Sequence, residues 1–284
     1  MRRGFTVTKL PLSLFLIFIL FVNSCTPTPT PAPAITSIPS AEPSKISTTL
    51  TIPPLVSASA PGSTTSAPTE DITASHEVTF ETPDGVTVSG ELYGSGKTAV
   101  IFSVMGDCKP GWRELAQLTA AQGLMALTYP WRDCGPAGPR SEEQLVANFV
   151  NDARGAINFA RNQGAEKVIL AGASLGGIAS AKLAVESGAD GLIILASPPK
   201  IPNHDFSIEA ADLNVDIPKL FITAENDSVV PASESRKLYE MAAEPKEWQT
   251  YPGSAHGTDL FRTINGRQAQ ERVLAFILSI AKTQ

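Results

Sequence analysis

Six short strand-like runs, most of them continuously apolar, constrain the fold of this chain more than any other feature. They cover residues 98–104, 124–129, 167–171, 192–196, 219–223 and 247–251. Apolar residues at helical spacing mark the segments that follow or separate them: 112–122, 142–163, 177–187, 233–243 and 268–282. Since strands buried on both faces of a sheet are continuously apolar, the alternation predicts a doubly wound α/β fold, with a mostly parallel sheet and helices on both faces.

Two earlier segments have a different pattern. Residues 77–80 and 86–92 alternate apolar and polar side chains, and they flank Pro83-Asp84-Gly85. Such alternation is typical of half-buried antiparallel strands, and Asp-Gly favours tight primed turns. The sequence therefore predicts an antiparallel hairpin at the N-terminal side of the sheet.

The first 24 residues predict a signal peptide. Arg2, Arg3 and Lys9 precede an apolar run at 10–22, which is too short to span a bilayer comfortably. The run leads to Asn23-Ser24-Cys25, which resembles the lipobox of bacterial lipoproteins. This resemblance implies lipidation of Cys25 and an exported chain anchored to the bacterial cell membrane, facing outside or the periplasm. An ordinary signal peptide and a twin-arginine signal remain alternatives.

Residues 25–75 are expected to form a disordered tether after the lipidated cysteine. This stretch is rich in Pro, Ser and Thr, and aromatic residues are absent from it. Proline interrupts helices and strand ladders, and so little apolar surface cannot offset the entropy lost on ordering. The folded domain is accordingly predicted to cover 76–284.

The overall charge and the absent motifs exclude several classes of function. The 284 residues carry a formal net charge of −6 without clustered basic residues, so nucleic acid is not an expected partner. The sequence lacks a metal-ligand cluster, a dinucleotide fingerprint and a P-loop. We therefore expect no metal and no cofactor; the oligomeric state does not follow from the sequence.

The segment Gly172-Ala173-Ser174-Leu175-Gly176 fits the pattern G-x-S-x-G. It follows a predicted strand directly and precedes a predicted helix, which is the context of a nucleophile elbow. The flanking glycines remove Cβ atoms that would clash where strand and helix meet. The pattern predicts that Ser174 is exposed above the sheet as a nucleophile.

A nucleophilic serine requires a base and an acid that orients the base. His256 follows the last predicted strand and Asp227 the penultimate one, so both belong to the edge that bears Ser174. Two residues upstream, Glu225 is a second-ranked candidate acid. His76, before the core strands, and His204 are less suitable bases. The chain order serine, acid, histidine is that of a hydrolase triad.

With these motifs, residues 76–284 resemble the α/β-hydrolase superfamily, in its cap-poor forms similar to dienelactone hydrolases and small esterases. The resemblance implies Ser174 as nucleophile, His256 as general base and then acid, and Asp227 as the group that fixes the imidazole tautomer. Together with the lipobox-like segment at Cys25, it predicts an exported, membrane-tethered serine hydrolase that cleaves ester or related acyl bonds of a small-molecule or acyl substrate. A serine peptidase or amidase, and an inactive binding lipoprotein, are the alternatives.

The resemblance also implies an oxyanion hole made of two backbone N–H groups. One belongs to Leu175, directly after the nucleophile. The other comes from the loop after residue 104, where Asp107 is the first choice and Met105 the alternative. A carboxylate at position 107 would oppose a developing negative charge unless its side chain turns away.

Cys108 and Cys134 are predicted to form a disulfide, with two free thiols or a reactive cysteine as the alternatives. They follow two strands that are consecutive in the sequence, and both loops leave the same edge of the sheet. An exported compartment permits the bond. It would stabilise the loop that carries the second oxyanion donor.

Overall fold

The computed structural model describes residues 74–134, 142–201 and 206–283. The predicted signal peptide, Cys25, the tether up to residue 73 and His204 lie outside the described residues. The first strand begins at Ser75, one residue before the predicted start of the domain. Across the described ranges, the helices are too short or too polar to cross a membrane.

Within these ranges, eight strands form one sheet in the order β1-β2-β4-β3-β5-β6-β7-β8. β1 pairs with β2, and β2 with β4, in antiparallel orientation, whereas β4, β3, β5, β6, β7 and β8 are parallel. This confirms the predicted, mostly parallel sheet with an antiparallel N-terminal hairpin. The strands are Ser75–Glu81 (β1), Thr87–Tyr93 (β2), Thr98–Ser103 (β3), Met125–Tyr129 (β4), Lys167–Ala173 (β5), Gly191–Leu195 (β6), Lys219–Ala224 (β7) and Lys246–Tyr251 (β8).

In the described residues, six α-helices accompany the sheet. They are Arg113–Ala120 (α1), Glu142–Asn162 (α2), Leu175–Ala184 (α3), Ala210–Leu213 (α4), Ala232–Met241 (α5) and Gly266–Ala281 (α6). α1 contacts α6, whereas α2 contacts α3. Because right-handed crossovers that run in opposite directions along a sheet put their helices on opposite faces, these two pairs cover the two faces.

The N-terminal hairpin has a longer loop than the sequence predicted. Glu81 pairs with Thr87, so five residues connect the strands. A turn closes within that loop through the Gly85 N–H, which donates to the Thr82 carbonyl at 2.9 Å. A primed turn needs positive φ at its first central residue, and Pro83, whose ring fixes φ near about −65°, cannot adopt it.

The chain reverses its direction of progress across the sheet at β3, whose neighbours are β4 and β5. The helices that follow β3 and β5 therefore leave on opposite faces, and a crevice opens between the carboxyl ends of these strands. Ser103 pairs with Gly172 in this region. The loop after β3 thus begins beside the turn that carries Ser174.

Candidate active site

Ser174 lies in the sharp turn between β5 and α3. Its φ of 52° and ψ of −117° are unusual for a residue with a side chain. Such a conformation persists only where the surroundings enforce it. The Ser174 N–H donates to the Leu195 carbonyl at 2.9 Å, and the Ser174 carbonyl accepts from the Ser197 hydroxyl at 2.8 Å. α3 begins at Leu175, two residues earlier than predicted, directly after the serine.

Two glycines make this turn sterically possible. A Cβ on Gly172 would lie 2.1 Å from the Gly176 carbonyl oxygen, and a Cβ on Gly176 would lie 2.4 Å from the carbonyl oxygen of Ser103. Both obstacles are backbone atoms, which cannot rotate away as a side chain can. The glycines of the G-x-S-x-G pattern are therefore required by the close approach of β5, α3 and β3.

Asp227 and His256 form a hydrogen-bonded pair. His256 Nδ1 lies 3.0 Å from both carboxylate oxygens of Asp227, whose side chain is fully buried. The backbone N–H groups of Val229 and Val230 donate to Asp227 Oδ1, each at 2.9 Å. Because an ionised carboxylate only accepts hydrogen bonds, this contact favours the tautomer with the proton on Nδ1. His256 Nε2 is then free to accept a proton.

The loops that carry this pair are joined through their backbones. Asn226 N–H donates to the Gly253 carbonyl at 2.9 Å, and Ser228 N–H to the Ser254 carbonyl at 3.1 Å. Glu225, the second-ranked acid, is exposed and makes no described contact with His256. His76 lies exposed on the edge strand β1, at the far side of the sheet from His256.

Ser174 and His256 line one cavity of about 400 Å³. Its apolar wall comes from Met105, Leu175 and Val229. The remaining lining residues are Gly106, Asp107, Lys109 and Asp259. Ligand sites commonly combine such apolar walls with a few polar groups.

The loop after β3, residues 104–110, is the predicted source of the second oxyanion donor, and we call it the oxyanion loop. A turn closes within it, since the Cys108 N–H donates to the Met105 carbonyl at 3.2 Å. The Asp107 carboxylate turns towards Lys109, with Oδ2 at 2.8 Å from Nζ and Oδ1 at 3.3 Å from the Lys109 backbone N. This pairing raises the pKa of Lys109 above its ordinary value.

The predicted disulfide is confirmed. Cys108 and Cys134 are bonded, with their Cα atoms 5.7 Å apart. The bond joins the oxyanion loop to the segment that follows β4.

Two further residues near the site were not predicted from the sequence. Ser197 follows β6, is fully buried and holds the carbonyl of Ser174; its own carbonyl accepts from the Ser235 hydroxyl at 3.0 Å. Trp131 follows β4 and donates from Nε1 to the Met105 carbonyl at 3.2 Å. Each is the second residue after a strand that ends at the edge of the sheet bearing Ser174, and this position is the signal that could have found them.

The described residues contain no group of three or more His, Cys, Asp or Glu side chains that could hold a metal ion. Near Ser174, the described residues place His256 on the same cavity and the buried Asp227 carboxylate against His256.

Known sequences include one family profile and several proteins that are similar to this chain. A profile of the alpha/beta hydrolase family matches residues 145–259. An uncharacterized protein of Mycobacterium tuberculosis is 28% identical over 231 residues, covering 73% of this chain and 81% of its own. The uncharacterized protein YfhR of Escherichia coli is 27% identical over 159 residues, which cover 49% of this chain and 56% of YfhR.

Solved structures share the fold. An esterase of Pyrococcus furiosus superposes with a TM-score of 0.60 at 15% identity, covering 75% of this chain and 95% of its own. A Xanthomonas campestris member of the α/β serine hydrolases, described as having no lid, gives a TM-score of 0.55 at 17% identity, covering 76% and 95%. The described residues thus have the α/β-hydrolase fold, and the family profile matches residues 145–259 within it. The described residues between β6 and β7 hold only the four-residue helix α4.

Proposed function

We propose that this chain is an exported, membrane-tethered serine hydrolase that cleaves ester or related acyl bonds through Ser174, His256 and Asp227. The observation that carries the proposal is the 3.0 Å contact of His256 Nδ1 with the buried Asp227 carboxylate, on a cavity that Ser174 also lines. A strained serine backed by an oriented imidazole is the arrangement that generates an alkoxide-like nucleophile.

In the proposed reaction, Ser174 Oγ attacks the acyl carbonyl and its proton passes to His256 Nε2. The resulting imidazolium is stabilised by Asp227, which stays ionised. The oxyanion accepts hydrogen bonds from the Leu175 N–H and from one N–H of the oxyanion loop, that of Asp107 or of Met105. Collapse of the tetrahedral intermediate breaks the ester bond, and His256 protonates the departing alcohol. Water then repeats the sequence on the acyl-enzyme and releases the acid.

The orientation of the Asp107 carboxylate supports this scheme. Its pairing with Lys109 turns the negative charge towards an ammonium group. This meets the condition under which a carboxylate at position 107 is compatible with an oxyanion donor there. The apolar wall of the cavity supports an uncharged acyl group as the part of the substrate nearest Ser174.

Active-site labelling tests the proposed chemistry. The full chain in detergent should react with a fluorophosphonate, and peptide mapping should find the adduct on Ser174. Ser174→Ala and His256→Ala should each lower kcat for p-nitrophenyl esters by at least about 1000-fold, and the double variant should be little worse. Ser233→Ala, which changes an exposed serine on α5, is the matched control. Unchanged hydrolysis by Ser174→Ala would overturn the assignment.

The same preparation separates esters from amides. Assays with p-nitrophenyl esters of increasing chain length beside aminoacyl amides should give the higher kcat/KM for an ester. A higher value for an amide would favour a peptidase or amidase. An absence of both turnover and labelling would favour a binding lipoprotein.

The proposed membrane tether rests on Cys25 and its sequence context. Metabolic labelling with a radioactive or alkyne-bearing fatty acid should mark the wild-type chain, and Cys25→Ala should abolish the label. Wild-type protein without label would remove the anchor from the proposal and leave the proposed chemistry untouched.

A further inference from the structure

The oxyanion loop is exposed at several positions yet is joined at two points to its neighbour. Gly106, Asp107 and Lys109 are exposed. The neighbour is the segment Trp131–Cys134 after β4, which we call the brace segment. Trp131 Nε1 donates to the Met105 carbonyl, and Cys134 is bonded to Cys108. The two attachments enclose the turn that contains Gly106 and Asp107.

The Trp131 side chain is itself immobilised. It is 2% exposed. Its ring centroid lies 4.5 Å from that of Phe149 on α2 and 5.5 Å from that of Tyr129, which it meets edge-on. Close packing of this kind leaves one rotamer available to the indole. The Nε1–H therefore has a fixed direction, and the Met105 carbonyl is held in line with it.

The brace segment is anchored on its other side by Arg132. The Arg132 backbone N and Nε donate to the two carboxylate oxygens of Asp152 at 2.8 and 2.6 Å, and the Asp152 side chain is fully buried. The other guanidinium nitrogens bind Asp84 in the hairpin loop at 2.5 and 2.9 Å. A bidentate guanidinium–carboxylate pair fixes orientation as well as distance. The segment is thereby tied to α2 and to the β1–β2 hairpin.

We infer that Trp131 is a positioning residue for the oxyanion hole. Its N–H holds the Met105 carbonyl and so fixes the plane of the Met105–Gly106 peptide, because carbonyl and N–H of one peptide move as a rigid unit. The two neighbouring peptides carry the candidate donors, the N–H of Met105 on one side and the N–H of Asp107 on the other. The fixed plane therefore limits the directions in which either N–H can point. The inference rests on the proposed hydrolase function and adds to it a residue that touches neither substrate nor nucleophile.

The inference predicts a specific kinetic signature. Hydrogen bonds to an oxyanion strengthen in the transition state, so displacing a donor lowers kcat and leaves ground-state binding nearly unchanged. A small displacement of a catalytic donor is enough for a loss of about 10- to 100-fold. Loss of Trp131 N–H should therefore affect turnover and transition-state analogues much more than KM.

The test compares two substitutions that each replace a buried aromatic residue by phenylalanine and remove one hydrogen bond. Trp131→Phe removes the N–H and retains an aromatic ring. Tyr129→Phe removes another buried hydrogen bond of the same cluster, the 2.7 Å contact between the Tyr129 hydroxyl and Ser103 Oγ, without touching Met105. Trp131→Phe should lower kcat by about 10- to 100-fold, with KM within about threefold. The Ki of a trifluoromethyl ketone should rise by the same factor as kcat/KM falls. Tyr129→Phe should lower the melting temperature about as much as Trp131→Phe does, but its kcat should stay within about threefold of the wild-type value.

A second variant covers failure of Trp131→Phe to fold. Amber suppression can install 3-benzothienylalanine at position 131, which has nearly the shape of tryptophan but carries no N–H. Its kcat and Ki should change as stated for Trp131→Phe. Wild-type kcat and Ki in this variant, with Ser174→Ala inactive, would overturn the role of Trp131 and leave the proposed function standing. Full activity in Ser174→Ala would instead overturn the proposed function.

Discussion

On one side of Ser174, the loops of Asp227 and His256 are joined by backbone hydrogen bonds, Asn226 to Gly253 and Ser228 to Ser254. On the other side, the oxyanion loop is joined to the brace segment by an indole and a disulfide. The first side extends the ladder of β7 and β8 beyond the strands. On the second side, the ladder of β3 and β4 ends at the pair Ser103 and Tyr129, and the two segments beyond it are joined through side chains.

Because of this difference, we expect the two sides to tolerate different substitutions. Backbone contacts depend little on side-chain identity, except where a Cβ would collide with main chain. Side-chain contacts can be removed one at a time, and each removal leaves the other contact in place. We therefore expect a large loss of kcat when atoms are added to the turn around Ser174. We expect a smaller loss of kcat when one side-chain contact of the oxyanion loop is removed.

The largest effect should come from a methyl group added to the turn. In Gly172→Ala the new Cβ would lie 2.1 Å from the Gly176 carbonyl oxygen, so backbone must move and displace Ser174. We expect kcat to fall by at least about 1000-fold, together with a lower midpoint of urea unfolding. The matched substitution Gly106→Ala meets only side-chain atoms of Leu175, Cδ1 at 2.7 Å and Cγ at 3.4 Å, and should keep kcat within about tenfold. Equal losses in both variants would contradict the comparison.

The next effect concerns the disulfide. Replacing both Cys108 and Cys134 by serine opens a loop with a sequence separation of 26. In the chain-entropy account this lowers the free energy of unfolding by about 3–4 kcal/mol, and we expect kcat to fall several-fold as the oxyanion loop loses one attachment. Urea unfolding and ester turnover, each with and without dithiothreitol, measure both effects. Dithiothreitol should affect the wild type alone; a wild type with unchanged stability after complete reduction would refute the prediction.

A smaller effect concerns charge beside the oxyanion loop. Lys109→Met leaves the Asp107 carboxylate without its ammonium partner, and an unneutralised negative charge nearby opposes a developing oxyanion. We expect kcat to fall by about fivefold at low ionic strength and less at high salt. Asp107→Asn in the same chain should restore kcat to within about twofold. A double variant as slow as Lys109→Met would show that Lys109 acts in some other way.

The smallest effect concerns the far anchor of the brace segment. Hydrogen bonding to Arg132 holds the pKa of Asp84 well below its ordinary value. A carboxyl whose pKa is depressed on folding contributes stability above its ordinary pKa, near about 4, and loses that contribution as the pH falls towards the folded-state pKa. Asp84→Asn should thus lower the melting temperature by roughly 2–4 °C at pH 7, and the difference should shrink below about pH 4.

The control for that experiment is Glu166→Gln, which disrupts the exposed ion pair with Lys97. Exposed pairs contribute little, so this variant should melt within about 1 °C of wild type at pH 7. A difference for Asp84→Asn that stayed constant from pH 7 to pH 3 would mean that the lost contact is not ionic.

The sequence by itself determined the features that depend on local pattern. Among the elements that the structure describes, strand and helix signals predicted every strand of the sheet and five of the six helices, because apolar periodicity is a property of consecutive residues. The G-x-S-x-G turn, the chain order of Ser174, Asp227 and His256, and the pairing of Cys108 with Cys134 followed from motifs that stand next to strand ends. The structure brings Asp227 and His256 into contact and lines one cavity with His256 and Ser174.

Only the tertiary structure decided the contacts that depend on the order of the strands in the sheet and on the distances between side chains. The sequence did not predict that β4 lies between β2 and β3. This placement lets Trp131 bind the Met105 carbonyl and Arg132 bind the Asp84 carboxylate. The five-residue hairpin loop and the orientation of Asp107 towards Lys109 likewise depend on the folded structure. Residues 26 or 48 positions apart have no periodic relation in sequence; they meet because the sheet packs their strands and loops together, and that packing is settled by the whole core at once.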